Sequence, residues 1–83
     1  MTETELRAAV LAALVGVAPE AEEIALDPAE NLRDQLDIDS MDFLNFMIAV
    51  HESVGVEIPE ADYGQVASLD GCVSYLSRKL AAR

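Results

Sequence analysis

From Ser40 to Val54 the chain runs without proline or glycine, and eight of the ten residues in MDFLNFMIAV, Met41 to Val50, are apolar. Such a run is too short to cross a bilayer, which takes roughly 18 to 20 apolar residues. In water it must be covered around most of its circumference, by the rest of the chain or by a partner. On a helical wheel with Ser40 at zero, Asp42, Asn45, Ala49, Glu52 and Ser53 share a sector from roughly 120° to 220°. Phe43, Phe46, Met47, Val50 and Val54 lie on one flank and Leu44 on the other. Met41 and Ile48 fall near roughly 80–100°, against the polar sector. The first flank predicts a core face. Met41 and Ile48 are either more core or contacts for a partner.

The remaining segments supply the cover. From Glu3 to about Val15, the series Leu6, Ala9, Val10, Ala13 and Leu14 has the spacing of an amphipathic helix, with Thr2 or Thr4 as N-cap and Gly16 and Pro19 as the stop. Residues 17 to 39, with Pro19, Pro28, Asn31 and many acids, read as a long loop anchored by Ile24, Leu26, Leu32, Leu36 and Ile38. Structureless loops of that length are uncommon and often functional. Gly55 should end the 40–54 helix. An extended step follows at Pro59, then a short helical turn near Ala61 to Gln65. A last helix, N-capped by Ser68, carries the stripe Leu69, Cys72, Val73, Leu76 and Leu80. Nothing alternates with period two. The expected fold is all-α, one domain over residues 1–83, with three main helices, one short helix and a long first loop.

Composition narrows the function. Sixteen Asp plus Glu against five Lys plus Arg give a formal charge of −11 over 83 residues. Nucleic acid and anionic membranes would be repelled, whereas a protein with a basic patch would be steered in. Arg78, Lys79 and Arg83 gather at the C-terminus, where cations complement a helix dipole. The single cysteine, Cys72, excludes an internal disulfide and a multi-cysteine zinc site, and its apolar neighbours predict a buried thiol. The acidic start, MTETELRAAV, lacks the basic region of a secretion signal, so a cytoplasmic protein is expected. A domain this small buries only about 60–65% of its unfolded surface, which leaves little room for a catalytic cleft.

Ser40 stands out within LDIDSMD, between Asp39 and Met41 with Asp37 and Asp42 nearby. With Asp39 as N-cap, its hydroxyl would sit at the positive end of the helix dipole, a place suited to a phosphate group. It has no base of its own. His51, the single histidine, is roughly 16 Å further along the same helix, against the ~3 Å that proton transfer needs. No Gly-x-Ser-x-Gly elbow surrounds it, which argues against self-contained hydrolysis. A calcium loop starting at Asp37 fails as well, with Met41, Asp42 and Ile48 at defining positions. Ser40 is then either a capping residue or a point of attachment.

The stretch LDIDSMDFLNFMIAVHESVGVEIP, with an opening helix, a long loop and a closing LDGCVSYL, resembles the acyl carrier protein family over essentially the whole chain. The resemblance rests on Asp39-Ser40-Met41 at the head of an apolar helix and on Ile58-Pro59 downstream. It implies a four-helix bundle in which a phosphopantetheinyl transferase attaches a 4′-phosphopantetheine arm from coenzyme A to Ser40. The arm's thiol would hold acyl or aminoacyl groups as thioesters, loaded by a ligase and passed to downstream transferases or synthases with basic docking patches. By position, Asp39, Met41, Asp42, Ile48 and Glu52 would contact partners. Phe46, Val50, Ile58 and Val66 would line an acyl pocket, with Phe43 and Tyr63 beside them. Such carriers are not enzymes, and they are expected to work as monomers without membrane insertion.

Departures from the family pattern point to a specialised member. Asp37 and Ile38 occupy the lead-in where many fatty-acid carriers have glycine, and Asn45 and His51 replace acids of the recognition helix. Phe43 and Tyr63 add two rings near the pocket. A dedicated lipid, polyketide or peptide-type pathway fits that pattern better than general fatty acid biosynthesis. The alternative class is an unmodified acidic helical adaptor for a basic protein, in which Ser40 would be dispensable.

Overall fold

The computed structural model describes residues 1–82, so the expected role of Arg83 lies outside the described residues. Three long helices carry the fold: α1 (Glu3–Val17), α3 (Ser40–Val54) and α4 (Leu69–Ala81). Between them lie a one-turn helix α2 (Leu32–Gln35) and two 3₁₀ segments, Pro19–Glu22 and Glu60–Val66. Among the described residues the only strand-like pairing is an isolated antiparallel bridge between Asn31 and Ser68. The all-α expectation holds.

Thr2 starts α1 through a capping box. Its hydroxyl accepts from the Glu5 N–H (3.1 Å), while the Glu5 carboxylate accepts from the Thr2 N–H (2.8 Å). Gly16 does not end this helix, which continues to Val17. The stop is Pro19, whose ring disfavours helical backbone at Ala18 and which instead opens the first 3₁₀ turn. That turn buries Ala21, and Ile24, expected to anchor the loop, is left exposed. Leu26 is half-buried, whereas Leu32, Leu36 and Ile38 do enter the core.

The expected loop is thus partly folded, and Gln35 is the reason its middle keeps a shape. The Gln35 amide accepts from the Asp27 N–H (2.7 Å) and donates to the Asp27 and Glu30 carbonyls (2.8 and 3.2 Å). Farther along, the Leu32 N–H donates to the Ala67 carbonyl (2.8 Å) and the Asp70 N–H to the Pro28 carbonyl (2.9 Å). These bonds tie the connection to the start of α4. Ser68 caps α4 by accepting from the Gly71 N–H (3.0 Å). Gly71 is required there, because a Cβ would lie 2.5 Å from the Gln65 carbonyl oxygen. At the other turn Gly55 ends α3 in the left-handed conformation, φ 77°.

One core results. Leu6, Val10 and Leu14 of α1, Phe46 and Val50 of α3, and Val73 and Leu76 of α4 are buried in it, closed at the edges by Leu32 and Val66. Each of these side chains contributes about 1.5–3 kcal/mol relative to exposure. Cys72 is buried as expected, and burial pushes its thiol up to about 12.

On α4 the expected stripe packs on the core, Leu80 half-buried at its end, and Tyr75 is buried beside it, which the spacing did not predict. Tyr75 can enter because its hydroxyl donates to Asp62 Oδ2 (2.6 Å), which ties the second 3₁₀ segment to α4. Lys79 and Arg78 lie over the same ring, at 5.3 and 5.9 Å, besides standing in the last turn of the helix.

The bond to Asp62, and secondarily burial, pushes the Tyr75 phenol up to about 12. A raised phenol pKa contributes stability that is complete below the free value near 10 and is lost as pH rises towards 12. Tyr75→Phe should therefore lower stability by about 1–2 kcal/mol near neutral pH. Urea melts of the two proteins should converge as pH climbs through that window.

Candidate functional site

The site begins at the head of α3. Asp39, not Ser40, is the N-cap: its carboxylate accepts from the Asp42 N–H (2.9 Å), and Asp42 Oδ2 accepts from the Asp39 N–H (3.2 Å). This reciprocal box satisfies two backbone donors with two carboxylates at the positive end of the dipole. Ser40 is the first residue of the helix and exposed, and its hydroxyl has no hydrogen-bond partner among the described residues. With the cap made next door, Ser40 has no structural task.

Behind it lies a face that folding leaves uncovered. Met41 is 63% exposed, Ile48 48% and Leu44 39%, while Phe43, Phe46, Met47, Val50 and Val54 are buried. Met41 and Ile48 are therefore not core. Leu44 was not singled out as a contact, although its wheel position, between Ser40 and Ile48, is the signal that places it on the same strip. Asp42 is half-buried, and Asn45, His51 and Glu52 are exposed on the same helix.

A groove of about 470 Å³ runs beside Ser40. Ser40, Met41, Phe43 and Leu44 form its α3 wall, and Glu60, Tyr63, Gly64 and Ala67 the wall from the second 3₁₀ segment and the turn after it. Asn31 and Arg33 complete it from the head of α2. Sequence reasoning missed Asn31, Arg33, Glu60 and Gly64, because neither periodicity nor motif marks loop residues that only tertiary packing brings together.

The six residues expected at an acyl pocket divide in two. Phe43 and Tyr63 line the groove, their rings edge to face at 5.5 Å between centroids. Phe43 also meets Phe46 edge to face at 5.9 Å. Phe46, Val50 and Val66 are wholly buried and Ile58 nearly so, in the packed core behind those rings.

The arrangement offers an exposed hydroxyl to which no base among the described residues is hydrogen-bonded. His51 stays on the same helix, eleven residues on. Among the described residues no group of three or more His, Cys, Asp or Glu side chains could hold a metal ion. No helix among them is long and apolar enough to cross a membrane. A phosphodiester on Ser40 fits this geometry, since the hydroxyl is exposed, unbonded and at a helix N-terminus beside open volume.

Comparison with known proteins agrees with that geometry. Residues 7–76 match the family described as the phosphopantetheine attachment site. An acyl carrier protein of Renibacterium salmoninarum is 34% identical over 62 residues, covering 75% of this chain and 72% of the relative. One from Syntrophobacter fumaroxidans is 32% identical over 57 residues (69% and 70%), and one from Guillardia theta 28% over 67 residues (75% and 83%). No solved structure gives a significant match.

Separating cap from attachment point yields a test. Asp39→Ala should lower stability by about 1 kcal/mol through loss of the cap. Ser40→Ala should stay within about 0.5 kcal/mol of the native chain. Urea unfolding followed by circular dichroism reads both.

Proposed function

This chain belongs to the acyl carrier protein family, and from that membership we propose that Ser40 is where its arm is attached. The family's phosphopantetheine-binding domain carries a covalently attached 4′-phosphopantetheine. The protein is a carrier of acyl thioesters and not a catalyst. It works with a phosphopantetheinyl transferase and with acyl-handling enzymes.

The observation that carries the assignment of Ser40 is its free, exposed hydroxyl beside a cap made by other residues. In the transfer, Ser40 Oγ would form a bond to the pantetheine-side phosphorus of coenzyme A as the anhydride P–O bond breaks. The adenosine bisphosphate part leaves. The hydroxyl proton goes to a base of the transferase, since no base among the described residues is hydrogen-bonded to the Ser40 hydroxyl. The product is a phosphoprotein whose new negative charge lies at the positive end of α3.

The docking surface in this reading is the uncovered strip of α3 with the acids around it. Met41 and Ile48, joined by Leu44, supply apolar contact, and Asp39, Asp42 and Glu52 supply charge for basic patches on the transferase, a loading ligase and downstream synthases. Asp39 and Asp42 each give one oxygen to the capping box and keep the other for a partner. A chain of net charge −11 approaches such patches quickly and avoids nucleic acid and anionic membranes. We further assign a single carrier domain working as a cytoplasmic monomer, in a specialised lipid, polyketide or peptide-type pathway. Support for the specialised pathway comes from Asn45 and His51, which thin the acidic face, and from the ring pair at the groove.

Incubation with coenzyme A and a broad-specificity phosphopantetheinyl transferase should add the mass of one arm to the native chain and none to Ser40→Ala. A native thiol titration should then find the arm's thiol alone, because Cys72 is buried and its thiolate disfavoured. No gain of mass with several transferases would leave the unmodified adaptor as the better reading.

A further inference from the structure

We propose that Arg33 holds the phosphate of the arm: once the arm is attached, the guanidinium pairs with the phosphodiester on Ser40 and lays the pantetheine chain along the groove. The proposal rests on attachment at Ser40. It deepens that reading by naming the residue that positions the attached group.

The starting observation is a cation that the fold does not use. Five Lys and Arg residues stand among sixteen Asp and Glu, so acidic partners are plentiful. The other Lys and Arg side chains of the described residues are engaged. Arg7 pairs with Asp70 at 2.7 Å, Arg78 donates to the Ser74 carbonyl and the Gln65 side-chain oxygen (both 3.4 Å), and Lys79 lies over the Tyr75 ring. Arg33 is exposed, and its guanidinium has no hydrogen bond or ion pair among the described residues. Its backbone N–H donates to Asn31 Oδ1 (2.9 Å), a bond that does not depend on the side chain.

Arg33 lines the same groove as Ser40, and among the described residues it is the one cation there. The groove's single carboxylate, Glu60, stands on the wall from the second 3₁₀ segment and is not ion-paired with it. Asp34 and Asp37, its neighbours in sequence, are exposed and not paired with it either.

Attachment changes the balance, because a phosphodiester carries a full negative charge past the hydroxyl. The capping carboxylates of Asp39 and Asp42 do not line the groove, so the phosphate leaves like charge behind by entering it. There it meets the Arg33 guanidinium, whose fork matches two phosphate oxygens. The rest of the arm also finds its chemistry in the groove. Its gem-dimethyl group, next to the phosphate, can lie on Met41 and Leu44, and the Asn31 amide N–H₂ can donate to an arm carbonyl.

The test uses the full chain loaded from coenzyme A by the transferase, with intact mass read first. No gain of mass overturns attachment at Ser40 and the proposal with it, whereas a loaded chain that fails the next steps overturns the proposal alone. NMR then follows the Arg33 Nε–Hε resonance from the apo to the holo protein. It should shift, and its exchange with water should slow about twofold to fivefold, the factor an exposed ion pair carries. Nuclear Overhauser contacts should join the arm's methyl groups to Met41 and Leu44.

In loaded Arg33→Gln those contacts should be lost, while Arg33→Lys, which keeps the charge without the fork, should keep them in part. Raising salt to about 1 M, where the Debye length is about 3 Å, should weaken them in the native chain and change nothing in Arg33→Gln. Folding is not at stake in either variant, since the side chain replaced is exposed and unbonded. An Arg33 resonance that ignores loading would overturn the proposal. So would arm contacts that survive Arg33→Gln.

Discussion

The packing of one face of α3 against α1, which packs in turn against α4, is the interaction on which the rest of this molecule depends. Phe46 and Val50 are wholly buried, with Val10 and Leu14 of α1 and Val73 and Leu76 of α4 in the same core. That burial fixes the rotation of α3 about its axis. Once Phe43, Phe46, Met47, Val50 and Val54 face inward, the 3.6-residue period puts Met41, Leu44 and Ile48 outside with no further choice. An apolar strip on the surface is thus a direct consequence of the core, and its exposure costs the domain stability that a helix with polar residues there would keep. Such a sequence makes sense when another protein covers the strip for part of its working cycle.

The same rotation governs the head of the helix. Asp39 and Asp42 bond reciprocally across the first turn, so each satisfies the other's backbone N–H. Two acids held there also place negative charge where a basic partner would meet it. Structure and recognition therefore draw on the same two side chains. The hydroxyl between them is excused from capping and remains available for chemistry done by another protein.

How much of this was legible in the sequence depended on whether the signal was local. The limits of α3, its stop at Gly55 and its inward flank followed from residue type and period, because these are properties of a single segment, whereas the choice of Asp39 over Ser40 as its cap came from the structure. The same holds for Ser68 and buried Cys72, and the structure chose Thr2 from the pair Thr2 and Thr4. The connection from 17 to 39 was less legible. Gly16 looked like a stop, yet a glycine within an already formed helix costs only about 1 kcal/mol, and the steric demand of Pro19 decides the end. Residues 32 to 35 were read as loop because a single turn is too short to show a period. Tyr75 was missed for a different reason: its burial depends on Asp62, a partner thirteen positions away, and no pattern within α4 announces it.

The site shows the same division. Ser40, Met41 and Ile48 were visible because they belong to one helix. The groove was not, since Asn31, Arg33, Glu60 and Gly64 meet Ser40 only through the fold. The two rings were noticed as departures in residue type, but their consequence needed geometry. In sequence, Phe43 and Tyr63 are two bulky residues twenty positions apart. In space they are an edge-to-face pair, backed by Phe46 and fastened through the 3₁₀ segment to Tyr75. The fastening makes the pair a wall instead of two loose side chains, since opening it would disturb α3, the 3₁₀ segment and α4 together.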